Sequence, residues 1–393
     1  MSPQRSTLSR IGSDYTTPVD IRAQRRYRSG MYRPEDNSYI QNYARQDNLK
    51  HLFYTDCSNA ITGVRPSTGM FVRPDNSTLF VTNSYEDPNN EVYDTYSDNI
   101  VAYSLTDGSI KSLSSSTTKK LTMAEPSSAS YNVFYPSPSG ISFKPDGRKL
   151  IYCGNLIQRF NSGSITYYHY GPVIFQYDLT TEWDLTTMNP NSTFTWNGVS
   201  YNNLSNSYSL APDRQYALDG ESIKVTATNL SVQTLPNAKI RDIFVKPDGT
   251  RLYYLRGNVL YQSNISSSWD IGSNGGNLSA AGSKDFNNGG DNYWMSMSLS
   301  SDGSNLYLLG RKYGGVIYVY NLSTPWDITT ATYNSNVYVG QYKTLGYHSS
   351  GNQNALSYYG TSMAFLNNEE SLIVSNHLEN NSNRYFQFDT LAF

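Results

Sequence analysis

Along this chain, apolar and polar residues alternate over short runs that end at Gly, Asp, Asn or Pro, the pattern of strands with one buried face. The runs recur in order. The fullest version, SMSLSSDGSNLYLLGRKYGGVIYVYNLSTPWDITTATY, spans Ser296 to Tyr333, and shorter versions start at Gly69 (GMFVRPDNSTLFVTNS), Gly140 (GISFKPDGRKLIYCGN), Asp242 (DIFVKPDGTRLYYLRGN) and Thr361 (TSMAFLNNEESLIVSNH). A weaker version runs from Tyr208 to Pro236, with Ala-Pro-Asp-Arg in place of Lys-Pro-Asp-Gly. Successive starts lie roughly 35 to 70 residues apart, which suits a four-stranded propeller blade with variable loops.

Each version has the same internal logic. A short strand, with Ile141 and Phe143 or Ile243 and Val245 on one face, leads into Pro-Asp-Gly or Ser-Asp-Gly. That triplet predicts a hairpin: Pro presets φ, Asp caps the turn with its side chain, and Gly accepts positive φ. The second strand (KLIYCG, RLYYLRG, NLYLLG, TLFVTN) is the most apolar segment and should lie between neighbouring sheets. A third alternates, as in PVIFQYDL, NVLYQSNI, VIYVYNL and NIVAYSL. It runs on into Trp183-Asp184, Trp269-Asp270 and Trp326-Asp327, where Trp should cover the next blade's edge and Asp should close a turn. A fourth, less regular strand follows, as at Thr193 to Trp196.

The last version ends on a third strand, YFQFDTLAF from Tyr385 to Phe393, whereas LKHLFYTD from Leu49 to Asp56 belongs to no complete repeat. The early strand is therefore expected to complete the last blade and close the ring. The fold class that follows is all-β: a single β-propeller of six blades, with five or seven as alternatives, closed by an N-terminal strand. It occupies residues 46–393, behind an extended basic arm over residues 1–45.

Composition agrees with strands and turns: 35 Tyr and 28 Gly accompany many Asn and Ser. Only 16% of residues are charged and the net charge is −2, so no global basic field exists for a polyanion. Charge is concentrated in the arm, where Arg5, Arg10, Arg22, Arg25, Arg26, Arg28 and Arg33 face only Asp14 and Asp20 within the first 33 residues. Such a segment folds poorly alone and is read as partner-binding, to other proteins ahead of nucleic acid, with a solvated tail as the alternative. No apolar run has the length of a membrane span or a signal peptide, so no membrane span and synthesis in the cytoplasm are expected. Of the two cysteines, Cys57 and Cys153, the latter lies in the apolar run LIYC and is read as a small buried thiol; disulfides are not expected to stabilise the fold, and eight Asn-X-Ser/Thr triplets are read as a result of Asn and Ser abundance.

The combination of FKPDG, the LYxL second strand and the ending YNLSTPWDITTATY resembles a propeller repeat of tailed bacteriophages and marine microbial proteins, over about residues 65 to 393. The Trp-Asp pair is shared with WD-repeat propellers, but the Gly-His element of those repeats is missing. The resemblance implies a virion-associated protein: a tail, fibre or capsid decoration component, present in multiple copies. Its arm would bind other virion proteins, and its propeller would serve assembly or recognition of a host surface glycan or protein.

The sequence offers little catalytic chemistry. His51, His169, His348 and His377 are scattered without metal-ligand spacing, and no nucleophile elbow or phosphate-binding loop is present. Asp75, Asp146, Asp213, Asp248 and Asp302 recur because the turn needs them. The reading is therefore non-enzymatic, with no catalytic, metal or cofactor-binding residues and no cofactor. Tyr167, Tyr168, Tyr170, Tyr293 and Trp294 are the candidate ligand-facing aromatics. A free-standing carbohydrate- or protein-binding propeller is the alternative, followed by a propeller hydrolase or lactonase.

Overall fold

The structure, a computed structural model, describes residues 49–56, 67–84, 99–106, 108–121, 123–124, 133–162, 165–188, 193–196, 199–202, 214–217, 223–227, 240–272, 276–286, 294–310, 315–338, 360–366, 371–377 and 383–390. These belong to one unit, Leu49–Phe393, and are almost entirely strand. The arm, Tyr293 and the four-histidine set except for the backbones of His51, His169 and His377 lie outside them.

The first strand, β1 (Leu49–Asp56), stands apart in sequence from β2 (Ser67–Val72), β3 (Thr78–Asn83), β4 (Asn99–Thr106) and β5 (Ser109–Lys120), which pair in order as blade 1. Blade 2 is larger. Its centre is β6 (Met123–Ala124), β7 (Val133–Phe143), β8 (Lys149–Ser162) and β9 (Ile165–Asp178). Around it lie β10 (Thr193–Trp196), β11 (Val199–Asn202), β12 (Arg214–Ala217) and β13 (Ile223–Ala227). Blade 3 is β14 (Ile240–Val245), β15 (Arg251–Arg256), β16 (Val259–Ile265) and β17 (Leu278–Asp285). Blade 4 is β18 (Trp294–Leu299), β19 (Asn305–Gly310), β20 (Val316–Leu322) and β21 (Ala331–Tyr338). Blade 5 consists of β22 (Gly360–Leu366), β23 (Ser371–His377) and β24 (Asn383–Thr390), with β1 as its outer strand.

The described residues thus form five sheets, not six. The weak sequence copy accounts for the difference. Its strands β12 and β13 both pair with β9, Tyr216 opposite Ile174 and Val225 opposite Tyr168, so they extend blade 2 instead of founding a sheet. Closure follows expectation: β1 runs antiparallel to β24, with Leu49 opposite Thr390 and Asp56 opposite Arg384.

The strands that open the blades touch in a cycle, β2 to β7 to β14 to β18 to β22 and back to β2, which makes them the inner wall of a closed ring. Among the described residues the core is correspondingly divided into five apolar clusters, one at each seam between blades. Phe80 and Ile100 of blade 1 meet Phe143 and Tyr152 of blade 2, and Ile151 and Ile174 meet Ile243 and Leu252 of blade 3. Leu255 and Phe286 meet Met297 and Leu308 of blade 4, and Leu309 and Ile317 meet Met363 and Val374 of blade 5. The ring ends where Ile373 and Tyr385 meet Val81 and Tyr103. The second strands are apolar on both sides because each face belongs to a different seam. In TLFVTN, Leu79 and Val81 face blade 5 while Phe80 faces blade 2.

Candidate functional site: the axial belt

Every inner strand carries a register shift of one residue at the same place: between Ser67 and Gly69, Pro138 and Gly140, Ile240 and Asp242, Trp294 and Ser296, and Gly360 and Ser362. A bulge unpairs one residue and turns its neighbours, here toward the adjoining blade. Five equivalent positions follow the bulge, occupied by Gly69, Gly140, Asp242, Ser296 and Ser362. The fold brings them together around the axis.

Hydrogen bonds run across all five seams. Ser67 Oγ and Ser362 Oγ are 3.0 Å apart across blades 1 and 5. Thr68 Oγ1 donates to Pro138 O across blades 1 and 2, and Ser139 Oγ donates to Ile240 O at 2.8 Å across blades 2 and 3. Between blades 3 and 4, Ser296 Oγ and Met297 N donate to Asp242 Oδ2 at 2.6 and 2.8 Å. Met363 N donates to Ser296 Oγ at 3.3 Å, joining blades 4 and 5. The belt residues Ser67, Ser139, Asp242, Ser296 and Ser362 are all buried, so each bond replaces water that the group has lost.

Asp242 is the acidic residue of this belt. Its Oδ1 also accepts from Ile243 N at 2.8 Å, so three neutral donors meet the carboxyl. Burial outweighs them and lifts its pKa to about 7. Gly140 makes the room: a Cβ there would overlap Asp242 Oδ1 and lie 2.6 Å from Ile243 N. Cys153 lies beside the belt, with Sγ 3.5 Å from Ser139 Oγ; burial pushes its thiol pKa up, and the charge of Asp242 adds to that. Sequence reading missed Asp242 as more than a repeat start. The signal was present, since aligning GMFV, GISF, DIFV, SMSL and SMAF puts one Asp in a column of Gly and Ser.

The turn carboxylates behave differently. Asp146, Asp248 and Asp302 accept from the backbone N–H two residues on, at 2.9 Å in each case, and Asp75 does so at 3.0 Å. Hydrogen bonds from Ser300 and Ser304 hold Asp302 near pKa 2. Asp213 lies outside the described residues.

The Trp-Asp pairs are bound to these turns. Trp183, Trp269 and Trp326 adopt positive φ of 62°, 56° and 67°. Their N–H groups donate to the carbonyls of Gly147, Gly249 and Gly303 at 3.0, 3.1 and 2.9 Å. Asp184 and Asp327 then cap short 3-10 turns, Leu185–Thr187 and Ile328–Thr330. Trp183 stacks on Phe71 and Phe80 of blade 1, with Arg73 5.2 Å from its ring centroid. Trp326 likewise meets Phe244 and Lys246 of blade 3. The indole therefore covers its own hairpin turn and the preceding blade, not the following one.

A second seam device was not foreseen. Third-strand glutamines occupy one register position and are buried: Gln176, Gln262 and Gln387. Each side-chain carbonyl accepts a backbone N–H from the next blade, namely Ile271 at 3.0 Å, Ile328 at 3.1 Å and Ile110 at 3.1 Å. The recurring FQ, YQ and FQ of these strands carried that information.

Of the five aromatics expected to face a ligand, Trp294 is buried at 1% exposure, edge-on to Tyr318 at 5.1 Å. It fills the seam between blades 3 and 4 and leaves the ligand-facing set. Tyr167, Tyr168 and Tyr170 lie within β9, not in a loop, paired with Thr226, Val225 and Ile223. Arg5, Arg10, Arg22, Arg25, Arg26, Arg28 and Arg33 lie outside the described residues, as does Tyr293.

No family model and no curated protein match the chain. Among solved structures, a putative 6-phosphogluconolactonase from Bacteroides fragilis is 12% identical, covering 80% of this chain and 78% of that one, with a TM-score of 0.37. The Cps50 (Swd1) β-propeller domain of Myceliophteria thermophila is 9% identical over 81% of this chain and 82% of its own, with a TM-score of 0.35. A chain of the mitotic checkpoint complex is 10% identical, covering 86% and 95%, with a TM-score of 0.36. Likeness at this level says nothing of activity.

Proposed function

We propose that this propeller is a non-enzymatic structural and interaction component of a tailed-bacteriophage particle, anchored by its basic arm and used in assembly or host recognition. The observation that carries the non-enzymatic reading is the belt. Its buried hydroxyls and its carboxyl bind the next blade, so the polar chemistry at the axis serves to hold the ring rigid. The turn carboxylates are likewise engaged by their own turns. A ring whose belt hydroxyls and carboxyl are bonded from blade to blade suits a scaffold that presents its outer strands and loops. The virion assignment is supported by the resemblance of the repeats and by the seven arginines of the arm.

The test is fractionation of particles from the producing cells, with mass spectrometry of the purified fraction. This chain should be found in it at fixed stoichiometry, and a form lacking residues 1–45 should fold but fail to incorporate. Particles without the chain, or normal incorporation of the truncated form, would count against the proposal.

A further inference from the structure

Asp242 differs from its equivalents in kind. The same register position holds Gly69, Gly140, Ser296 and Ser362 in the other blades, none of which ionises. A carboxyl at this place is not demanded by the belt, because Ser67 and Ser362 join blades 1 and 5 with two hydroxyls.

Among the described residues, the groups that bond its carboxyl are neutral. Blade 2 presents Gly140 and the thiol of Cys153, which burial keeps neutral. Blade 4 presents Ser296 Oγ and Met297 N, and its own blade presents Ile243 N, with Leu255 opposite in register. Arg241 precedes it on the bulge and is partly exposed, and the groups that bond the carboxyl are Ser296, Met297 and Ile243.

We propose that Asp242 is a proton-operated latch across the seam between blades 3 and 4, firm when the carboxyl is neutral and loosened when it is ionised. In the neutral state Oδ2–H donates to Ser296 Oγ, which still accepts from Met363 N, while Met297 N continues to donate to Oδ2. On ionisation the proton passes to water and Ser296 Oγ–H turns to donate to the carboxylate. The contacts persist in both states, but the second leaves an unpaired charge in a buried seam, which is costly. A carboxyl whose pKa is raised on folding favours the folded state most below its unfolded pKa. That advantage is lost as pH rises from about 4 to about 7.

The test combines two measurements on the full chain. Urea unfolding is followed from pH 5 to 8 for the wild type and for Asp242→Ser, the residue that blades 4 and 5 already use. Infrared spectra of the wild type labelled at the aspartate carboxyl carbons report the protonated C=O band. The folding constant of the wild type should fall by up to about tenfold per pH unit toward pH 7 relative to the variant. Histidines titrate in the same range, so the difference between the two proteins is the readout. A protonated carboxyl band should be present at pH 5 and fade near pH 7. Equal pH slopes in the two proteins, or no protonated band at pH 5, would overturn the latch. Should Asp242→Ser fail to fold, the infrared titration of the wild type decides alone.

Discussion

Replacing Gly147 by Ala tests whether the Pro-Asp-Gly turn and the Trp-Asp pair form one unit. Gly147 has φ of +72°, where an alanine costs about 1–2 kcal/mol. A Cβ there would lie 2.5 Å from Cδ2, Cε2 and Nε1 of Trp183, so the indole must move. Moving it disturbs stacking on Phe71 and Phe80, each such pair being worth about 0.5–1.5 kcal/mol. It also disturbs the Arg73 contact, worth about 0.5–1 kcal/mol. Losing all of these together would cost about 2.5–6 kcal/mol in urea unfolding. In a Trp183→Ala background the same change should cost only the conformational part, about 1–2 kcal/mol. A Gly147→Ala cost below about 1 kcal/mol, or an equal cost in both backgrounds, would refute the coupling.

Three other outcomes follow, two from the seams and one from the turns. Gln262→Ala leaves Ile328 N–H and part of Asp327 without a partner between blades 3 and 4, and urea unfolding should show a loss of about 1–3 kcal/mol. Gly140→Ala should be severely destabilising through its clash with Asp242, and adding Asp242→Gly should recover part of the loss but not all, since Ile243 N and Asp242 Cα also crowd the new methyl. Thermal melts of the single and double variants would show it. At acid pH the turns set the limit. Asp302 and Asp327 are lowered chiefly by hydrogen bonds from Ser300 and Thr329. In Asp75, Asp146 and Asp248, turn hydrogen bonds and a neighbouring cation outweigh slight burial. Groups lowered in this way stabilise the fold above the ordinary carboxylate range and lose that effect as pH falls toward about 2. The wild-type melting temperature should therefore drop below pH 4, and a flat profile between pH 4 and 2 would contradict the turn assignment.

Much of this architecture could be read from the repeats because each blade satisfies its own local rules. Pro-Asp-Gly fixes a hairpin through φ and a side-chain cap, and the same rules placed β2 through β4 and their equivalents. The missing fourth strand of the last repeat pointed to β1. What local rules could not decide was where a weak repeat would pair. Arg214–Ala217 and Ile223–Ala227 are strand-like in any setting, and only the length of β9 lets both lie against it. Burial of Trp294 was likewise a matter of neighbours, since an aromatic after DNY reads as a loop residue until Gly310 and Tyr318 are seen to receive it. Asp242 and the three glutamines act between blades, so their meaning emerges only when repeats are aligned by register.

The central claim is that the five sheets of the described residues form a ring closed by β1, and hydrogen exchange measured by mass spectrometry tests it most directly. β24 lies between β23 and β1, and in an antiparallel ladder about half of its amides bond to each side. A form lacking residues 1–45 should keep full protection over Asn383–Thr390, and a form lacking residues 1–56 should lose roughly half of it there. Unchanged protection of Asn383–Thr390 after removal of β1 would show that the ring is closed by something else.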